Sequence, residues 1–254
     1  ATVPDSPGRL LSYLQGSVDL ATLEPSRPLH GYREAAQLIR GPRVLARAMW
    51  GGSTQGEGVH VWSSGDDAEW LACSVRHAYV EHRVTRVDVA ADFVDGVAWE
   101  RLAGAALSVA DRYKLKVQHC GDYHRGEDGR TLYVGSPASA LRLRVYEKGK
   151  QLGAAPEWVR AELQVRPQKQ AKERAAALPA GDFWGAAAWS RAFAAEWGAE
   201  LSPVPLGTIW RPQDDDRTWQ WIVRQAGPLL RRMAERDGGW QAVADRLGKD
   251  LGVL

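Results

Sequence analysis

The chain has 254 residues, 44% hydrophobic and 25% charged, which suits one large globular domain or a domain with a small appendage. Lys and Arg number 33 against 31 Asp and Glu, a formal charge of +2, so the placement of charge must carry any argument for a polyanionic partner. No apolar run is long enough for a membrane span, and Cys73 and Cys120 fall in no CxxC pair, which excludes a zinc finger and a disulfide scaffold. The first eight residues lack the basic-then-apolar layout of a secretory signal, so a cytoplasmic protein is expected.

Taken in chain order, Tyr13 to Val18 reads as a short strand and Gly31 to Ile39 as a short helix. Glycines from Gly51 to Gly58 mark a turn before a strand at Val59 to Trp62. Ser64-Gly65-Asp66 then caps a helix from Ala68 to Tyr79. A strand at Val84 to Phe93 and an amphipathic helix at Trp99 to Tyr113 follow. The turn Gly126 to Gly129 separates strands near Val117 to Tyr123 and Arg130 to Gly135. Leu141 to Lys148 and Trp158 to Arg166 are the last strands. Beyond them helices are expected at Gln168 to Ala177, Asp182 to Trp197, Asp216 to Arg236 (kinked at Gly227-Pro228) and Trp240 to Leu247. The 12 Trp, many of them in these later segments, read as core residues.

This order predicts an α+β fold with a largely antiparallel, curved central sheet, helices on one face and a C-terminal helical appendage. The proline-rich stretch Leu201 to Pro212 is the best linker, which divides the chain into a catalytic body over 1–200 and a helical region over 201–254.

Three strands each separate charge from apolar surface with period two. One face carries Arg86, Asp88 and Asp92; the next carries Arg142, Arg144, Tyr146 and Lys148; the third carries Trp158, Arg160, Glu162 and Gln164. Solvated charges pairing across strands explain any one of these, at roughly 0.2–1 kcal/mol per pair. Three together, if they share a sheet, gather carboxylates, bases and one phenol on one surface. A hard divalent cation, Mg²⁺ or Mn²⁺, takes carboxylate oxygens and leaves positions for phosphate. Asp88 and Asp92 are roughly 13 Å apart on an extended strand, so one of them with Glu162 is the economical pair. Tyr146 would present its phenol to the phosphodiester, and Lys148 would stabilise charge or protonate the leaving oxygen. Between Ala140 and Arg174 nine basic residues stand against four acidic ones, an electrostatic footprint for a polyanion. Arg86, Arg142, Arg144, Arg160 and Lys150 are the expected contacts to that polyanion.

Four segments in order resemble the rolling-circle replication initiators of small plasmids and filamentous phages, the replication initiation factor family, which includes nickases of conjugative elements. They are Thr85 to Asp92, Gly129 to Ser136, Leu143 to Lys150 and Trp158 to Gln164. The resemblance implies a metal-dependent nickase and ligase in which Tyr146, in R-x-Y-x-K, attacks the origin phosphodiester and stays linked to the 5′ phosphate. It further implies that Asp88 and Glu162, with Asp92 as a third ligand, hold Mg²⁺ or Mn²⁺. No His-apolar-His triplet is present, in keeping with carboxylate ligation. The implied partner is single-stranded or hairpin origin DNA, with a helicase and a homodimer as further expectations and no membrane. Other readings stay open: a conjugative relaxase with the same chemistry, a non-catalytic DNA-binding protein, or a hydrolase in which water attacks. Tyr133 reads as a packed strand tyrosine, and His119, Cys120 and His124 have zinc-binding chemistry but no fourth ligand.

Overall fold

The computed structural model describes residues 1–52, 58–197, 214–250 and 252. The chain divides into two compact units, Ala1–Thr208 and Ile209–Leu254. The first unit holds two antiparallel five-stranded sheets. The antiparallel α+β architecture is thus present, and its strands are shared between two sheets.

The N-terminal sheet contains β1 (Thr2–Val3), β2 (Thr22–Pro25), β3 (Glu34–Arg40), β4 (Arg43–Trp50) and β5 (Val59–Trp62), in the order β1-β5-β4-β3-β2. Helices α1 (Pro7–Gly16) and α2 (Asp67–Ala78) cover one face, where Leu10, Leu14, Leu38, Ala48, Val61 and Val75 form the core. Two expectations are corrected here. Tyr13 to Val18, expected as a strand, mostly falls in α1, which extends only to Gly16. Ser6 accepts a hydrogen bond from the Arg9 N–H, Pro7 begins the helix, and Leu10 and Leu14 bury one turn apart. Gly31 to Ile39, expected as a helix, runs instead into β3, which pairs with β4 through a tight turn with Gly41 at φ +58°. Cross-strand pairing overrode a local pattern too short to decide.

The second sheet contains β6 (Val87–Val94), β7 (Val117–Cys120), β8 (Thr131–Val134), β9 (Leu141–Tyr146) and β10 (Trp158–Val165), in the order β6-β10-β9-β8-β7. Helix α3 (Ala98–Arg112) packs on β8, β9 and β10. Its Trp99, Leu102, Ala106 and Val109, spaced at three and four residues, are buried. Opposite them lie Leu132, Leu143, Val145, Ala161 and Leu163, all fully or almost fully buried. Each buried Leu or Val among them contributes roughly 1.5–3 kcal/mol.

After β9 the chain forms the short helix α4 (Lys148–Leu152), and after β10 α5 (Ala171–Ala176). The expected single helix over Asp182 to Trp197 is three pieces: 3₁₀ turns at Ala180–Ala186 and Ala195–Trp197 flank α6 (Ala188–Ala194). Trp184, Trp189 and Phe193 are buried, and Trp197 sits edge-on to Phe93, Trp184 and Phe193. The second unit contains α7 (Asp214–Asp237), which continues through Pro228, and α8 (Trp240–Asp250). The expected linker at 201–212 lies outside the described residues. No helix among the described residues is long and apolar enough to cross a membrane.

Candidate functional site: the polar face of the second sheet

Strand register brings the three charged strands side by side, with β10 in the centre. Arg160 stands opposite both Asp92 and Tyr146, and Glu162 stands opposite Arg144. Gln164 faces Asp88 and Arg142, and on the next strand Tyr133 faces Arg144. Antiparallel pairing therefore assembles on one face the residues that period-two alternation selected on each strand.

Tyr146 lies at the meeting point of two charge clusters. Its hydroxyl donates to Glu162 Oε2 at 3.4 Å, and Glu162 also accepts from Arg144 at 2.8 and 3.0 Å. The Arg144 guanidinium lies 4.1 Å from the Tyr146 ring centre, and Lys148 Nζ lies 5.6 Å from it. On the other side Arg160 grips Asp92 through two hydrogen bonds of 2.6 and 2.7 Å, and the Trp158 indole donates to the same carboxylate at 2.7 Å. The expected exposed phenol is corrected: Tyr146 is only 3% exposed, beneath charged side chains on the polar face. Burial, and then the negative charge of Glu162, push its phenol above its ordinary pKa, while Arg144 and Arg160 pull the other way. At Asp92 burial opposes ionisation, but the hydrogen bonds from Arg160 and Trp158 outweigh it and hold the carboxyl below its ordinary pKa.

The three expected metal ligands are not gathered around one point. Asp88 is chelated by Arg86, Asp92 by Arg160, and Glu162 by Arg144. Among the described residues no three His, Cys, Asp or Glu side chains cluster as ligands. Asp88 and Glu162 are diagonal neighbours across the β6–β10 pair, since Glu162 faces Ala90. Two carboxylates on adjacent strands, with phosphate and water oxygens completing the shell, are a donor set that suits Mg²⁺ or Mn²⁺. The side chains fit such an ion if Arg86 and Arg144 yield their partners.

Lys148 was expected on the strand beside Tyr146. It begins α4 instead, because β9 ends at Tyr146, though its ammonium still lies over the Tyr146 ring. Lys150, expected to contact DNA, is bound within the fold: its ammonium meets Glu147 at 2.9 Å and donates to the Gly126 carbonyl at 2.6 Å. Arg142 stacks 3.8 Å from the centre of the Tyr133 ring and donates to Gln118 at 3.2 Å. His119 sits edge-on to Tyr123.

Glu147 went unread in the sequence. It is 4% exposed and accepts from the Arg130 N–H at 2.7 Å and from the Arg130 guanidinium at 2.8 and 3.1 Å, besides its bond to Lys150. Burial alone would raise its pKa, but the hydrogen bonds from Arg130 outweigh it and bring the value to about 2. This buried latch holds the end of β9 against β8 directly beside Tyr146. Gly149 completes it, because a Cβ there would fall 1.6 Å from the Ala155 carbonyl oxygen, so α4 can pack this closely only with glycine. The available signal was an acid flanked by bases, R-V-Y-E-K-G-K, at the end of an apolar strand.

Residues 82–178 match the family described as replication initiation factor. That segment contains every expected site residue and all four of the motifs that carry the resemblance. Over part of its length the chain is similar in fold to a solved structure described as the rolling circle replication initiator protein from Geobacillus stearothermophilus. The two share 21% identity and a TM-score of 0.50, with 71% of this chain and 74% of that one covered. No curated protein matches the chain.

Proposed function

We propose that this chain initiates rolling-circle replication by nicking and rejoining a single DNA strand through Tyr146. The observation that carries the reading is the Tyr146 hydroxyl, 3.4 Å from Glu162 on a sheet face lined by Arg144, Arg160 and Lys148. Tyr146 Oη attacks the phosphorus, and its proton leaves along the hydrogen bond toward Glu162. The bond from phosphorus to the 3′ oxygen breaks, and that oxygen takes a proton from Lys148 to become a 3′ hydroxyl. The 5′ phosphate stays esterified to Tyr146, so the bond energy is conserved and the same site can reseal the strand. Arg144 and Arg160 exchange their carboxylate partners for phosphate oxygens and thereby uncover the phenol. Asp88 and Glu162 would hold Mg²⁺ or Mn²⁺, which when bound neutralises charge on the phosphate. Origin DNA, single-stranded or in a hairpin, is the proposed substrate, and a transfer origin would be cut by the same chemistry.

A second reading has one observation in its favour. A phenol at 3% exposure and three carboxylates each tied to an arginine are also what a non-catalytic DNA-binding sheet would show. The two separate on a denaturing gel after incubation with single-stranded origin-like oligonucleotides and Mn²⁺. Nicking predicts a covalent protein–DNA adduct that is absent in Tyr146→Phe and in chelator. Cleavage without an adduct would mean attack by water, and DNA binding without either would favour the second reading. Glu162→Ala should lose Mn²⁺ binding in an electron paramagnetic resonance titration as well as the adduct; retention of both would refute the metal assignment.

A further inference from the structure

The N-terminal sheet carries a second polar surface that the Tyr146 chemistry does not use and that lies outside the family-matched segment. Register aligns Glu24, Gln37, Arg47 and Trp62 in one row across β2, β3, β4 and β5. The Arg47 guanidinium lies 5.5 Å from the Trp62 ring centre, and its Nε is buried without a hydrogen-bond partner. Such an orphaned buried donor is uncommon in a folded protein. Beside it the segment after β2 turns over the sheet, with His30 and Gly31 at positive φ, and Tyr32 stacks on His60 at 5.8 Å. Between segment and sheet lies a pocket of about 320 Å³, lined by Ser26, Arg27, Leu29, Gln37 and Arg47.

We infer that this pocket binds one nucleotide unit of a single DNA strand, with its phosphate on Arg27 and Arg47 and its base against Leu29 and Trp62. The chemistry narrows the ligand from three sides. Two guanidiniums with no acid among the lining residues call for an anion. Leu29 is 41% exposed and Trp62 36% exposed beside them, so an apolar or π surface accompanies the charge, as a base would provide. The Gln37 amide nitrogen is turned toward Glu24 Oε2, 3.5 Å away, which leaves its oxygen to accept from a base edge and sets the acidic end of the row away from the phosphate. The volume falls at the small end of ligand pockets and suits a single unit. The site would grip a strand on a different sheet from the one that carries Tyr146, so it requires neither the metal nor the nucleophile.

The test uses the full chain in chelator, with a fluorescein-labelled oligothymidylate carrying 5-iododeoxyuridine for photocross-linking. Anisotropy should show affinity falling about tenfold in Arg27→Ala/Arg47→Ala and in Trp62→Ala, with the salt dependence of the double variant shallower by about 0.7 log units per log unit for the one lost phosphate contact. Gln37→Glu, close to isosteric and therefore folded, should weaken binding by repulsion alone. Cross-links should map between residues 26 and 62 and vanish in the double variant. Inorganic phosphate as competitor should displace the strand only weakly, since it offers no base; displacement at equal concentration would reduce the site to a phosphate subsite and refute the nucleotide assignment. Cross-links confined to residues 82–178, or unchanged affinity in Gln37→Glu and the double variant, would overturn the inference while leaving the Tyr146 reading standing.

Discussion

Glu147→Gln isolates the latch beside the nucleophile. The carboxyl falls from its ordinary 4.5 to about 2 in the folded chain. At about 1.36 kcal/mol per pKa unit, that shift corresponds to roughly 3 kcal/mol of stabilisation. Breaking one side of a buried ion pair points to the same size, about 3–5 kcal/mol, because Arg130 and Lys150 are left facing a neutral amide. For a unit of this length, roughly 2–4 °C is lost per kcal/mol, so the melting temperature should drop by about 6–12 °C at pH 7. The sign with pH is fixed by the depressed folded pKa. The contribution is complete above about 4.5 and disappears as pH falls through about 2, so the gap between wild type and variant should narrow over that window. Calorimetry or urea unfolding at several pH values measures it, with the exposed Glu157→Gln as the control that should barely move. A Glu147→Gln loss below about 1 kcal/mol at pH 7, or a gap that does not change with acid, would refute the argument that this carboxylate holds the end of β9.

The two glycines of α4 should differ in kind. Gly149→Ala drives a methyl into the Ala155 carbonyl and should cost about 2–3 kcal/mol or more in urea unfolding, together with adduct formation. Gly153→Ala meets no atom within 4 Å but sits at φ +62°, so about 1 kcal/mol is expected. His60 should titrate near pH 4 by NMR, since burial, then the N-terminal ammonium and His30, oppose its charge. Its folded pKa lies below the unfolded one, so it lowers stability as pH falls from about 6.5 to about 4, and His60→Gln should flatten that limb. A His60 midpoint above 6 would show that the ring is open to water.

Period-two alternation decided the polar face of the second sheet from the sequence alone, because a strand exposes every other residue whatever its partners. Asp88, Asp92, Arg142, Arg144, Tyr146, Arg160 and Glu162 were legible that way, and the four motifs carried the resemblance that the match over residues 82–178 repeats. Pairing was not legible. Only the tertiary structure set β10 between β6 and β9, so that Arg160 takes Asp92, Arg144 takes Glu162, and Tyr146 lies buried between them. The division into two sheets, the helical α1 and the strand β3 likewise depended on long-range partners that local propensity does not see. Lys150 read as a DNA contact because a lysine in sequence carries only its charge. Its partners, the Glu147 carboxylate and the Gly126 carbonyl, lie three and 24 residues away, and only folding brings both within hydrogen-bond reach.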